Sequence, residues 1–128
     1  MDLLGDDFPY AHTALKGKHA LVCGASKGIG RATAMMMAKA GANVTVCARN
    51  SASLATLCDE LSNLGPGEHA PLALDLEDQD AIQSAIPTLL GQRGAVHILV
   101  NNAGGPPGGP LLASALSDFE APFKRHLH

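Results

Sequence analysis

Short apolar segments alternate with helix-like segments along most of the chain, and this alternation constrains the fold more than any other feature. Four segments are short, apolar and bounded by turn residues, which is typical of strands that are buried on both faces. Such strands, alternating with helices, build a parallel sheet through right-handed crossovers, so the sequence predicts an α/β fold. The predicted strands are HALVCGA from His19, NVTVCA from Asn43, APLALDL from Ala70 and AVHILV from Ala95.

The predicted helices have recognisable ends. Ser51 is predicted to cap the second helix, and the Gly65-Pro66 pair ends it. A last helix is predicted to begin near Ser117, because Ser117 and Glu120 have the spacing of a capping box.

Composition excludes several function classes. The chain has 128 residues, of which 46% are hydrophobic and 16% charged, so one domain with a packed core is expected. A net charge of -3 offers no basic field for nucleic acid, and no apolar run approaches a membrane span. The acidic N-terminus does not resemble a secretory signal, and a cytoplasmic protein is expected.

Neither cysteines nor histidines show the spacing of a metal site. Cys23, Cys47 and Cys58 form no CxxC pair, and the six histidines have no metal-ligand spacing with any of them. Buried thiols in a reducing compartment are the simpler interpretation. We therefore predict no metal.

The stretch LVCGASKGIGRATA places three glycines between the first strand and the first helix. The spacing from Gly24 to Gly30 is G-x-x-x-G-x-G, which differs from both the G-x-G-x-x-G fingerprint and the P-loop. A helix N-terminus offers free N–H groups, and glycines allow a diphosphate to approach the backbone. An ordinary strand-to-helix turn is the alternative, although it would rarely need three glycines in seven residues.

Three motifs, each at the carboxyl end of a predicted strand, resemble those of the short-chain dehydrogenase/reductase family. CGASKGIG resembles the family's glycine loop, with Cys23 where threonine is usual; LDL at 74–76 and NNAG at 101–104 resemble its other two motifs. The resemblance implies a Rossmann-like, doubly wound parallel sheet with strand order 3-2-1-4. It also implies an NAD(P)-binding domain over 17–128, after an irregular tail over 1–16, with the catalytic half absent.

The same resemblance implies which residues contact the cofactor. Asp75 and the Leu76 backbone would contact the adenine, Asn102 to Gly104 would line the ribose side, and Asn101 would brace that turn. An N-cap is the alternative for Asp75, and plain turn chemistry is the alternative for the asparagines. The full predicted set is Gly24, Ser26, Lys27, Gly28, Ile29, Gly30, Arg49, Asp75, Leu76, Asn102, Ala103 and Gly104.

The end of the second strand favours NADP(H) over NAD(H). A NAD-selective site places a carboxylate there to bind the ribose 2′-OH, but this chain reads Cys47-Ala48-Arg49-Asn50. The Arg49 guanidinium can pair with a 2′-phosphate, and Lys27 and Ser26 lie in the neighbouring loop. Solvated surface cations are the alternative interpretation.

The family's catalytic residues are not found in the sequence. Family members use a tyrosine, a lysine four residues after it, and a serine. Here the single tyrosine is Tyr10, with Ala14 four positions later. His126 aligns with the family's helper asparagine. No catalytic residue is predicted.

Two main hypotheses follow. The first is the cofactor-binding half of an NADP(H)-dependent short-chain oxidoreductase that acts on a small-molecule carbonyl or alcohol. The second is a non-catalytic NADP(H)-binding module that pairs with another chain; a nucleotide fold without ligand is a third option. Because the fourth strand would be an open apolar edge, oligomers or pairing through that edge are expected.

Overall fold

The computed structural model describes residues 13–26, 28–101 and 113–117. Four parallel strands form one sheet in the order β3-β2-β1-β4, as predicted. The elements in chain order are β1 (His19–Cys23), α1 (Gly28–Lys39), β2 (Asn43–Ala48), α2 (Ser51–Ser62), β3 (Ala70–Ala73), α3 (Gln79–Arg93) and β4 (Ile98–Asn101).

The sheet lies between two helical layers. Helices α1 and α2 cover one face, where Ala34, Leu54 and Leu61 pack against the valines of β1 and β2. Helix α3 covers the other face through Ile82 and Ile86, together with the helical residues 113–117. All of β1 is buried, which explains its continuous apolar sequence.

Two predicted helix starts are wrong by a few residues. Asn50, not Ser51, caps α2: its backbone is extended, and its Oδ1 accepts hydrogen bonds from the amides of Ala52 and Ser53 at 3.0 and 3.1 Å. Ser117 does not begin the last helix, because residues 113–117 are already helical and the Ser117 hydroxyl donates to the Ala113 carbonyl.

Across the described residues, no helix combines the length and the hydropathy that a membrane span requires.

Candidate functional site

The carboxyl ends of the strands meet at one level. Cys23 of β1 lies opposite Cys47 of β2 on one side and Asn101 of β4 on the other. At the far strand, the amide of Leu74 donates to the Ala48 carbonyl just beyond the last pair of β2 and β3. The described segments that follow β1, β2 and β3 therefore lie along this carboxyl end of the sheet, and they carry the predicted site residues Gly24, Ser26, Arg49, Asp75 and Leu76.

Glycine is required at three positions of the first turn, for two different reasons. Gly24 and Gly28 have φ angles of +72° and +64°, in the left-handed region that side chains disfavour. A Cβ on Gly30 would lie 2.1 Å from the Gly24 carbonyl oxygen, a backbone atom that cannot move aside alone. The first turn of α1 therefore packs directly on the end of β1, as a dinucleotide-binding turn requires.

The first amides of this turn are occupied by the sheet. Both Gly24 and Ala25 donate to the Cys47 carbonyl, at 2.9 and 3.3 Å. This contact anchors the turn to β2, and sequence reasoning missed it because a backbone acceptor has no side-chain signature. The amides that open α1, from Gly28 onward, have no acceptor within the helix and can face a ligand.

The start of α1 is suited to an anion. Its first turn contains no acidic residue, so nothing there opposes the positive end of the helix dipole. Among the described residues, the large hydrophobic side chain that is exposed is that of Ile29, with 74% of its surface accessible. Ser26 is half-buried beside it, and Lys27 lies outside the described residues.

Arg49 follows the last residue of β2 and is exposed, next to the capping residue Asn50. A second arginine near the turn has another role, since the Arg31 guanidinium pairs with the Glu60 carboxylate on α2. That pair ties α1 to α2 and directs Arg31 along the helices. Of these two arginines, Arg31 is the one that makes an ion pair among the described residues.

Asp75 lies in a turn between two anchored leucines. Leu74 and Leu76 are buried in the core beneath α3, whereas Asp75 is exposed. One carboxylate oxygen, Oδ1, accepts from the Glu77 amide at 2.9 Å, and Asp78 rather than Asp75 caps α3. The N-cap that sequence analysis offered as the alternative for Asp75 is therefore wrong. Asp75 instead forms a local turn, which uses one of its two carboxylate oxygens.

Cys23 and Cys47 form a buried pair of free thiols beneath the turn. A hydrogen bond to the Cys47 side chain, together with burial, raises the pKa of the Cys23 thiol well above its usual value. Cys23 therefore acts as a neutral, compact core residue where the family usually places threonine.

The remaining predictions lie outside the described residues. These are Asn102, Ala103, Gly104, Tyr10 and His126. Within the described part of the chain, no three histidine, cysteine or acidic side chains come together to hold a metal ion.

A separate groove of about 460 Å³ lies between β3 and α3, lined by residues 70–74 and one side of the helix. None of the predicted cofactor residues lines it. The candidate site is therefore the row of turns at the carboxyl end of the sheet.

The family model "short chain dehydrogenase" matches residues 18–128. Chicken (Gallus gallus) D-erythrulose reductase is 44% identical over 90 residues, which cover 70% of this chain and 33% of that protein. The matched region spans about one third of the length of the curated relatives.

Two solved structures show the same architecture. A citronellol catabolism dehydrogenase from Pseudomonas aeruginosa aligns over 93% of this chain and 58% of its own, with a TM-score of 0.83 and 25% identity. L-Sorbose reductase from Gluconobacter frateurii, solved with NADPH and L-sorbose, aligns over 73% of this chain and 36% of its own, with a TM-score of 0.67 and 30% identity.

Proposed function

Because the chain belongs to the short-chain dehydrogenase family, we propose that it is the cofactor-binding part of an NADP(H)-dependent oxidoreductase that interconverts a small carbonyl compound and an alcohol. Residues 17–128 would form this part, after a tail over 1–16. The observation that carries the proposal is the turn from Gly24 to Gly30, where left-handed glycines and a position that excludes a Cβ bring α1 onto the end of β1.

The turn would bind the diphosphate through the amides that open α1. The amides of Gly24 and Ala25 donate to the Cys47 carbonyl. The amides that open α1, those of Gly28, Ile29 and Gly30, would therefore donate to the ligand. Ser26 and Lys27 would add a hydroxyl and a positive charge from the same turn. When bound, the nicotinamide supplies the redox chemistry by exchanging a hydride with the substrate carbon.

The adenosine half would lie along the other turns of the carboxyl end. Asp75 has one carboxylate oxygen outside its local turn, and the Leu76 backbone is held in place by its buried side chain. Asn102, Ala103 and Gly104 follow Asn101 and would line the ribose on the β4 side.

The preference for NADP(H) would come from Arg49. The guanidinium can donate two parallel hydrogen bonds to a 2′-phosphate, and no carboxylate follows β2 to bind a 2′-hydroxyl instead. L-Sorbose reductase, one of the similar structures, was solved with NADPH, and both it and D-erythrulose reductase are named as reductases. These names support the same proposal.

Calorimetric titration of NADPH and NADH into Arg49→Asp tests this preference. We expect NADPH affinity to fall about 10- to 100-fold, the effect of losing hydrogen bonds to a charged group, with little change for NADH. Lys16→Asp is the matched control, because it makes the same charge change in the exposed turn before β1. Equal losses for both cofactors would remove Arg49 from the 2′-phosphate site, and no NADPH binding by the unaltered protein would refute the function.

A non-catalytic NADP(H)-binding module is the second candidate. It is favoured by β4, which lies at one edge of the sheet formed by the described strands. Under this reading, β4 would pair with another chain or a second copy. Tight NADPH binding without any carbonyl-dependent NADPH oxidation would favour the module.

The three free thiols support a reducing compartment, and we propose a cytoplasmic location on that basis.

A further inference from the structure

Three histidines lie along the amino end of the sheet, opposite the candidate cofactor site. His19 begins β1, His69 precedes β3, and His97 precedes β4. We call this set the histidine clasp. None of the predicted cofactor residues belongs to it.

Two rings of the clasp accept hydrogen bonds from strand amides. The Nδ1 atom of His97 accepts from the His19 amide at 2.9 Å, and the Nδ1 atom of His69 accepts from the Val44 amide at 3.2 Å. A ring nitrogen can accept only when it carries no proton. Each of these bonds therefore exists only while its histidine is neutral.

The third ring, His19, is buried and held as one tautomer. Its Nδ1 lies 3.1 Å from the Ala95 carbonyl, an acceptor, so Nδ1 carries the hydrogen. Its Nε2 lies 2.7 Å from the Thr45 hydroxyl, whose oxygen also accepts from Arg93 Nε at 3.3 Å. The Thr45 hydroxyl can thus donate to Nε2 of a neutral His19. A protonated ring would instead donate to the Thr45 oxygen, and the hydroxyl hydrogen would lose Nε2 as its acceptor.

We propose that the histidine clasp is an acid-sensitive set of hydrogen bonds. It holds the His19 amide of β1 and the Val44 amide of β2 while its rings are neutral, and it releases them when the rings gain protons. The charged neighbour of His19 and His69 is Arg93 of α3, which also favours the neutral form of both rings. The Glu68 backbone carbonyl accepts a hydrogen bond from the Arg93 guanidinium.

The direction of the pH effect follows from burial. Burial, and then Arg93, lowers the pKa of His19, while burial also lowers the pKa of His69. The released state therefore binds more protons than the fastened state, so fastening is complete above the ordinary histidine pKa of about 6.5 and weakens as pH falls below it.

Hydrogen exchange at single amides tests the clasp, because each accepting ring has its own reporter. Lowering the pH from about 7.5 to about 5.5 should reduce Val44 amide protection about tenfold after correction for intrinsic exchange, as one histidine of ordinary pKa in the released state requires.

His97→Asn is the matched control for His69→Asn. Asparagine keeps an acceptor near the position of Nδ1 but does not titrate, so His69→Asn should remove the pH dependence at Val44, whereas His97→Asn should leave it in place. A Val44 protection that is constant with pH, or that falls equally in His69→Asn, would overturn the proposal.

Ring tautomers give a reading that does not depend on the variants folding. Nitrogen chemical shifts of the unaltered protein at about pH 7.5 should show Nδ1 unprotonated in His69 and His97 and protonated in His19. A proton on Nδ1 of His69 or His97 would refute the clasp directly.

Discussion

The two ends of the parallel sheet treat their polar groups in opposite ways. At the carboxyl end, the chain turns through Gly24 and Gly28, and the amides that open α1 have no acceptor within the helix. At the amino end, the amides of His19 and Val44 are accepted by histidine rings of the same chain. The carboxyl end leaves amide donors available to a ligand, whereas the amino end pairs the amides of His19 and Val44 within the chain.

The contrast shows that one pair of strands can serve binding and stability at separate ends. β1 and β2 run from the histidine clasp to the glycine turn, a distance of only five or six residues. Buried polar groups need partners, and at the amino end side chains of the same chain supply most of them, although His69 Nε2 is buried without a partner among the described residues. An end built from glycine and backbone amides leaves that role to the cofactor.

Gly30→Ala should have the largest effect on this division, because a substitution in the proposed binding turn should also lower the stability of the fold. The new Cβ would meet the Gly24 carbonyl oxygen at 2.1 Å, so α1 must shift away from β1. We expect the free energy of unfolding to fall by about 3 kcal/mol, at the upper end of overpacking effects, and NADPH binding to be lost with it. Urea unfolding measures the first effect and calorimetry the second.

Gly91→Ala is the matched control for that substitution. Gly91 lies within α3, where an added Cβ would meet nothing within 4 Å. Alanine there should stabilise the protein by about 0.5–1 kcal/mol through helix propensity. If Gly30→Ala behaved like Gly91→Ala, the close approach of α1 to β1 would be wrong.

Thr45→Val tests the amino end with a smaller effect. Valine keeps the shape of the side chain but removes the hydroxyl that links His19 Nε2 to Arg93 Nε. An unsatisfied buried ring nitrogen should lower the free energy of unfolding by about 1–3 kcal/mol, while NADPH affinity stays unchanged. Thermal or urea unfolding, paired with a cofactor titration, measures both.

The exposed Thr56 supplies the comparison, since its hydroxyl donates only to the Ala52 carbonyl within α2. Thr56→Val should change stability by no more than about 0.5 kcal/mol. A Thr45→Val protein that kept full stability would show that the amino end does not depend on its side-chain network.

Sequence reasoning predicted the sheet and its strand order but not the side-chain contacts at its amino end. Strand periodicity gave the sheet and its connections, and the strand order came with the family resemblance carried by the turns at 24–30 and 74–76. These features are local, because a left-handed glycine or an apolar run is set by neighbouring residues.

The histidine clasp could not be predicted in the same way. His19 and His97 are 78 positions apart, and His69 meets Val44 across 25 positions. No spacing rule connects such residues, so only the sheet register brings them together. The same reason hid the Arg31–Glu60 pair, whose members are 29 positions apart.

Helix starts failed for a different physical reason. Asn50 and Ser51 are both good capping residues, and the sequence cannot tell which one keeps an extended backbone at the end of β2. That choice matters for the site, because the Asn50 side chain accepts from the amides that open α2, whereas the neighbouring Arg49 takes no part in the cap; both residues are exposed.

Asn50→Asp is the subtlest test, because it changes the charge of the binding end while preserving its structure. Aspartate caps helices as well as asparagine does, so stability should change by less than about 0.5 kcal/mol. The new carboxylate would lie next to Arg49, yet it would point at the amides of Ala52 and Ser53. NADPH affinity should therefore fall by no more than about fivefold, the weight of an exposed charge pair, with NADH affinity unaffected. A loss as large as that of Arg49→Asp would mean that the side chain at position 50 faces the cofactor, and the division between capping and binding residues at the end of β2 would have to be redrawn.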